Sequence, residues 1–235
     1  MKLADLVFLL NAETKQNVTE HLGIPETRII LINNGVNTDI YHPLTETEKW
    51  EAKGKWNLQG KRVILQVGSV YENKGQLRSL EHMLSILKKQ SDVVFAYAGG
   101  IVDDAYQFKI QEYALAHGVA SQIRYLGMVT PGVELNKLYN IAEATILSSK
   151  YEGFSLVSVE SCAAGIPVLV DRFGPIRLGA GSVCYDANCF EEVCRALVCG
   201  DTTEFRTAAR DNAVQNYSWA KIASDYLTVF INRME

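Results

Sequence analysis

Two carboxylates, Glu152 and Glu160, frame the stretch Glu152-Gly153-Phe154-Ser155-Leu156-Val157-Ser158-Val159-Glu160. Gly153 reads as a strand-to-helix turn, and the residues after it as the opening of a helix. The first N–H groups of a helix lack an acceptor within it and, with the helix dipole, attract a phosphate. Glu160 then lies inside the helix, roughly 12 Å along its axis from Glu152 at about 1.5 Å per residue. That is about the separation between the sugar and the ribose of a nucleoside diphosphate sugar. Carboxylates so placed can each accept hydrogen bonds from hydroxyls, with the phosphates between them. Taken by spacing alone, such a pair is more often a loop charge and a solvated helix residue.

The elements that must hold this stretch follow from the apolar pattern. Val63–Gly68, Val93–Gly100, Ile123–Gly127, Ala144–Leu147 and Pro167–Val170 read as strands, with Ser182–Tyr185 as a weaker one. Their near-continuous apolar character means burial on both faces. Helical patterns fill the gaps at about 76–90, 104–117, 133–141, 156–164 and 189–198. Strand and helix alternating at this spacing predict an α/β fold, a doubly wound parallel sheet of Rossmann-like type. Ligands of such sheets bind beyond the carboxyl ends of the strands. The site is therefore expected near Gly68, Gly99, Gly127 and Ser148-Ser149.

The first 45 residues differ. Two strands, Val7–Leu10 and Ile29–Ile32, flank a helix near 12–22, and a turn-rich stretch from Asn33 to Asp39 leads to Pro43, which reads as a linker. Residues 44–60 are polar, with Trp50 and Trp56 at helical-face spacing. The tail reads as two helices broken near Tyr217-Ser218, with Ser218 as an N-cap. The apolar tail residues Trp219, Ile222, Tyr226, Val229 and Phe230 read as packing.

Composition narrows the function. The chain has 235 residues, is 48% hydrophobic and carries a net charge of −4. Mild acidity argues against nucleic acid as a partner. No apolar run reaches the length of a membrane helix, and the start lacks the pattern of a signal peptide, which together point to the cytoplasm. The five cysteines form no CxxC or Cys/His pairing of zinc type, so they read as reduced thiols, some buried. No carboxylate or histidine cluster has metal-ligand spacing, and no metal is expected. The four histidines, His21, His42, His82 and His117, receive no catalytic role.

The pattern from Glu152 through Gly165 to Val168 resembles the Glu-x7-Glu motif of the retaining group 1 (family 4) glycosyltransferases. Three further stretches are similar to that family. Gly68-Ser69-Val70-Tyr71-Glu72-Asn73-Lys74-Gly75 resembles its Gly-Arg-x(4–5)-Lys-Gly loop, Tyr125-Leu126-Gly127-Met128-Val129 its Phe-Leu-Gly-x-Val strand end, and Ile32-Asn33-Asn34-Gly35-Val36-Asn37 its Pro-Asn-Gly-Val-Asp boundary.

The resemblance implies a GT-B architecture of two Rossmann-like domains with the active site between them. Residues 1–45 would be the end of the N-terminal domain and the interdomain linker, and 46–235 the donor-binding C-terminal domain with its closing helices. It implies transfer of a hexosyl unit from a nucleoside diphosphate sugar, UDP- or GDP-linked, to an acceptor hydroxyl with retention. Glu152 would contact the donor sugar and Glu160 the ribose. Lys74 would neutralise the diphosphate. The backbone of Gly153, Phe154, Ser155 and Leu156 would face sugar and phosphates. Gly68 and Ser69 would sit by the phosphates, and Gly127, Met128 and Val129 by the base. Acceptor-binding loops belong to the rest of the first domain, through which relatives with lipid acceptors dock on membranes; the acceptor itself, whether glycan, lipid-linked or small molecule, is not named by these residues.

Departures from the family open a second reading. Ser69 stands where the family carries Arg, which removes one cation; Arg172, Arg177 or a partner domain are the candidates to replace it. The Gly-Gly-x-x-Glu segment expected after Val170 is not recognisable. A non-catalytic module that binds a nucleotide sugar or a partner chain is therefore the alternative. A Rossmann oxidoreductase fits poorly, because no G-x-G-x-x-G follows the first strong strand.

Overall fold

The computed structural model describes residues 4–172 and 178–232. Six parallel strands form the main sheet: β3 (Arg62–Val67), β4 (Val93–Ala98), β5 (Ile123–Tyr125), β6 (Ala144–Leu147), β7 (Val168–Asp171) and β8 (Ser182–Tyr185). Their order in space is β5-β4-β3-β6-β7-β8. The chain thus builds outward from β3 in one direction, then crosses to the other side of β3 at β6. Between β3 and β6 the winding reverses, and a crevice must open beyond their carboxyl ends.

Both faces of the sheet are covered. Val63 and Leu65 of β3 pack into one core, while Ile64 between them packs into the other. All three are completely buried, each worth about 1.5–3 kcal/mol relative to exposure. The first core is shared with α2 (Glu46–Lys55), α5 (Val133–Asn140), α6 (Leu156–Ala163) and α8 (Thr203–Tyr217). The second is shared with α3 (Gln76–Lys89), α4 (Asp104–Ala116) and α7 (Phe190–Cys199). The expected α/β sheet is therefore observed, with element ends within two residues of those read from the apolar pattern.

A separate two-stranded parallel sheet, β1 (Val7–Leu9) with β2 (Ile29–Leu31), carries α1 (Ala12–Leu22) and its own small core of Val7, Val18, Ile24 and Ile29. Helix α9 (Trp219–Ile231) packs against this unit and against α8, whose Ala209 and Ala213 belong to the main core. The Phe8 ring packs 4.8 Å from that of Tyr226 and 5.9 Å from that of Phe230. Ser218 caps α9, accepting from the Lys221 N–H, as expected of it. The Trp219 ring covers Gly35 so closely that a Cβ there would lie 2.6 Å from it.

The segment between the two units is docked on the larger one. Asn136 accepts from the His42 N–H, Asn140 accepts from the Leu44 N–H, and Arg210 donates to the carbonyls of Thr38, Tyr41 and Ala163. The two tryptophans near α2 do not share a face. Trp50 is exposed, whereas Trp56 caps the helix and packs on the main core. Among the described residues no helix is long and apolar enough to cross a membrane.

Candidate functional site

The crevice between β3 and β6 is walled by two loops, one from each strand. The β3 loop begins at Gly68 and ends in a 3-10 turn, Glu72–Lys74, closed by Gly75. Gly75 has φ +70°, and a Cβ there would lie 2.3 Å from the Ser148 carbonyl oxygen, so no other residue brings this loop so near β6. Gln66 donates to the Lys74 carbonyl at 2.6 Å, and Gln76 to the Ser69 carbonyl at 2.9 Å. Both glutamines are buried, so the loop hangs on fixed donors.

The β6 loop runs from Ser148 to Ser155. Ser148 is anchored in a buried chain of hydroxyls: Ser79 donates to it at 2.8 Å, and it lies 2.9 Å from the Tyr185 hydroxyl. Asn73 ties the two loops together. Its side-chain oxygen accepts from the Tyr151 N–H at 3.1 Å, its amide donates to the Tyr151 carbonyl at 3.2 Å, and its own carbonyl accepts from the Lys150 N–H at 2.8 Å. Lys150 and Glu72 add an ion pair at 2.5 Å.

This clasp brings Lys74 and Glu152 together. Lys74 Nζ lies 2.5 Å from Glu152 Oε1, which also accepts from Ser149 Oγ at 2.9 Å. The neighbouring Gly153 carbonyl is gripped from the small unit by Asn11, whose amide donates to it at 2.6 Å while its Oδ1 caps α1. A cavity of about 610 Å³ lies here, with Lys74, Glu152, Asn73 and Tyr151 on one side and Asn11, Glu13, Thr14 and Asn17 of the α1 end on the other. A second, of about 320 Å³, continues along Gly153, Phe154 and Ser155 toward Leu178.

Helix α6 opens beside these cavities. Ser155 is its N-cap and accepts from the Ser158 N–H, leaving earlier first-turn N–H groups without an acceptor in the helix. The positive end of the helix dipole lies at Ser155, which lines the smaller cavity together with Glu152. The helix starts only at Leu156, so a rise of about 1.5 Å per residue applies from there and not from Glu152.

Glu160 sits on α6, half-buried and outside the lining of both cavities. Tyr139 of α5 donates to its Oε2 at 2.8 Å. Burial holds the Glu160 carboxyl above its ordinary value, against the opposing hydrogen bonds of Tyr139 and Tyr41. The Tyr41 hydroxyl is itself pushed up to about 12, chiefly by burial, and accepts from the Gly132 N–H at 3.1 Å.

Gly68, Ser69, Gly127, Met128 and Val129 follow the ends of β3 and β5 and are not in the lining of the larger cavity, although Gly68 abuts Lys74, whose Cδ would lie 3.6 Å from a Cβ placed there. Gly99 packs between them, since a Cβ on it would lie 2.1 Å from the Gly68 carbonyl oxygen. Tyr125 donates to the Gly99 carbonyl at 2.8 Å, and Met128 is 83% exposed at the rim. Arg172 is engaged with Asp186 at 3.3 Å, and Arg177 lies outside the described residues. Sequence reasoning passed over Asn73, Asn11, Tyr139 and Tyr41. Asn73 alone carried a signal, its place directly before Lys74.

A model of the family "Glycosyl transferases group 1" matches residues 48–178, more than half of the chain. The chain belongs to this family. The group 1 match spans both loops of the crevice and the whole of α6. Among curated relatives, an uncharacterized glycosyltransferase of Methanocaldococcus jannaschii is 29% identical over 72% of this chain and 42% of its own length. D-inositol 3-phosphate glycosyltransferase of Corynebacterium aurimucosum is 25% identical over 98% of this chain and 58% of its own. The chain thus spans about half the length of these relatives.

Solved glycosyltransferases share the fold. A glycosyltransferase from Rickettsia africae aligns at TM-score 0.85 and 20% identity, over 98% of this chain and 64% of that one. HepE of Anabaena, solved in complex with UDP and glucose, aligns at 0.80 and 15%, over 97% of this chain and 63% of that one. The parallel α/β fold of this group 1 chain is therefore shared with part of these GT-B glycosyltransferases.

Proposed function

We propose that this chain is the donor half of a retaining glycosyltransferase, moving a hexosyl unit from a nucleoside diphosphate sugar to an acceptor hydroxyl. The observation that carries the reading is the meeting of Lys74 with Glu152 where the winding of the sheet reverses, at the positive end of α6. A diphosphate leaving group gains negative charge as its bond to the anomeric carbon breaks. A cation and free N–H groups held in advance at that point stabilise the charge as it develops. Lys74 and the backbone of Phe154, Ser155 and Leu156 are the groups placed to do so. The acceptor oxygen forms the new bond to the anomeric carbon, and its proton passes to the departing diphosphate.

Glu152 would accept hydrogen bonds from the sugar hydroxyls, and Glu160 from the ribose. Gly68, Ser69, Gly127, Met128 and Val129 would line the phosphate and base end. The complex of HepE with UDP and glucose supports this class of donor. Residues 1–45 would then be the end of an acceptor-side domain, and 46–235 the donor domain. No metal is required in this scheme, because Lys74 and the helix end supply the positive charge.

Metal-free calorimetric titration with UDP, GDP and ADP, and with their glucose or mannose conjugates, tests the reading. Binding of one nucleotide series, weakened in Glu160→Ala and Lys74→Ala, is the expected result. Absence of binding at millimolar ligand refutes it. Ser69 favours a second reading, a module that binds without turnover, since a family cation is replaced there by a hydroxyl. Donor binding without sugar transfer or hydrolysis would select it.

A further inference from the structure

We infer that Tyr139, assisted by Tyr41, is a positioning residue that sets the Glu160 carboxylate for hydroxyl recognition. This rests on the reading of Glu160 as the ribose-binding group and assigns what aims it.

Tyr139 is completely buried on α5, within the core beneath α6. A buried phenol needs a partner for its hydroxyl. The partner is Oε2 of Glu160, at 2.8 Å. A carboxylate on a helix can rotate about its side-chain bonds, and one held through a single oxygen by a donor fixed in the core cannot do so freely. Tyr41 lies behind this pair, its ring 6.1 Å from that of Tyr139 and edge-on to it. Its hydroxyl accepts from the Gly132 N–H and faces the same carboxylate. Tyr41 belongs to the segment docked by Arg210, whose guanidinium also holds the Ala163 carbonyl at the end of α6. The carboxylate, its helix and the segment after the small unit are thus tied at one point.

A structural account of the same geometry reverses the dependence: Glu160 would merely satisfy the buried phenol. The two accounts differ in what happens to hydroxyl discrimination. A carboxylate that is aimed at the ribose should prefer a ribonucleotide over one lacking both ribose hydroxyls, and should lose that preference when its aim is lost.

The test is titration of the wild-type chain, Tyr139→Phe and Tyr41→Phe with the diphosphates of uridine, guanosine and adenosine and with their 2′,3′-dideoxy counterparts. The wild type is expected to favour the ribonucleotide of its preferred base at least about tenfold, as for hydrogen bonds to a charged group. In Tyr139→Phe the preference should fall to about twofold or less, with affinity for the dideoxy compound nearly unchanged. Tyr41→Phe should lose less of it, since that hydroxyl also serves Gly132. In the Glu160→Ala background Tyr139→Phe should cause no further loss. A wild-type preference that survives in the tyrosine variants overturns the inference while leaving the donor reading intact. If Tyr139→Phe does not fold, an unchanged preference in Tyr41→Phe overturns it. Absence of any nucleotide binding by the wild type defeats both.

Discussion

The ammonium of Lys74 and the carboxylate of Glu152 meet at 2.5 Å, although they sit on loops that leave different strands of the sheet. Each is the other's partner, and each side chain retains some exposure, 26% and 14%. A donor would have to divide them, taking the cation to its phosphates and the carboxylate to its sugar. Glu152→Gln should therefore leave affinity for a bare nucleoside diphosphate unchanged or improved, because Lys74 is released and a negative charge is removed. The sugar conjugate should lose its advantage over the bare diphosphate. Lys74→Ala should weaken both at least about tenfold, given the strength of charge-assisted hydrogen bonds to phosphate. Calorimetry on the two variants checks the pair. Neither change should alter stability by more than about 1 kcal/mol, since the pair is partly screened by solvent.

Asn73 is expected to be the residue that keeps this pair in register. Its side chain makes two hydrogen bonds to the backbone of Tyr151, and no other residue type presents a donor and an acceptor at that reach. Asn73→Ala should cost about 1–2 kcal/mol. The Tyr151 N–H should exchange with solvent at least about tenfold faster, while N–H groups of β3 and β4 keep their protection. Hydrogen exchange read residue by residue by NMR gives the answer, and unchanged exchange at Tyr151 would sink the clasp.

The sheet was legible because its strands are buried on both faces and so carry uninterrupted apolar runs, as at Val93–Ala98, where every residue is buried. β8 gave a weaker signal for a physical reason: it is an edge strand, and only Tyr185 of it is fully covered. The loops were legible as candidate sites only through glycines and the two carboxylates. What aims those carboxylates was not. Tyr139 lies in an amphipathic helix, where an aromatic residue at core spacing reads as packing whether or not its hydroxyl has a task. Asn73 is visible only as a member of the Lys74 loop, because a side chain bonded across to another loop leaves no local pattern. The order of strands also escaped the sequence, and with it the reversal between β3 and β6 that puts Lys74 beside Glu152.

Gly99 should tolerate no side chain. Its φ is +149°, and an added Cβ would lie 2.1 Å from the Gly68 carbonyl oxygen and 3.0 Å from the Ser69 nitrogen. Both obstacles are backbone, so relief requires β3 and β4 to part at their carboxyl ends. Gly99→Ala is expected to cost about 2–4 kcal/mol and to displace Gly68 and Ser69. Gly118→Ala offers a control, since it also has positive φ, +74°, but open space around it. It should cost only about 1 kcal/mol. Urea unfolding of the two variants compares strain alone with strain plus collision, and equal losses would remove the close approach as a cause.

Glu160 should make stability fall as pH rises. Its carboxyl is held above the ordinary value near 4.5, chiefly by burial, so the native state retains a proton that the unfolded chain has already released. Wherever the native state binds more protons, raising the pH favours unfolding. The contribution of Glu160 is therefore complete below about pH 4.5, is lost as pH rises through its native value, and stays lost above that. Glu160→Gln keeps an oxygen that can accept from Tyr139 and never ionises. The stability difference between Glu160→Gln and the wild type should accordingly shift toward the variant from pH 4.5 upward, then level off. Denaturant unfolding of both proteins between pH 4 and pH 8 measures that difference, with the other titrating groups common to both. A difference that does not change with pH would mean that burial does not perturb Glu160. A difference shifting the other way would mean that the hydrogen bonds of Tyr139 and Tyr41 outweigh burial.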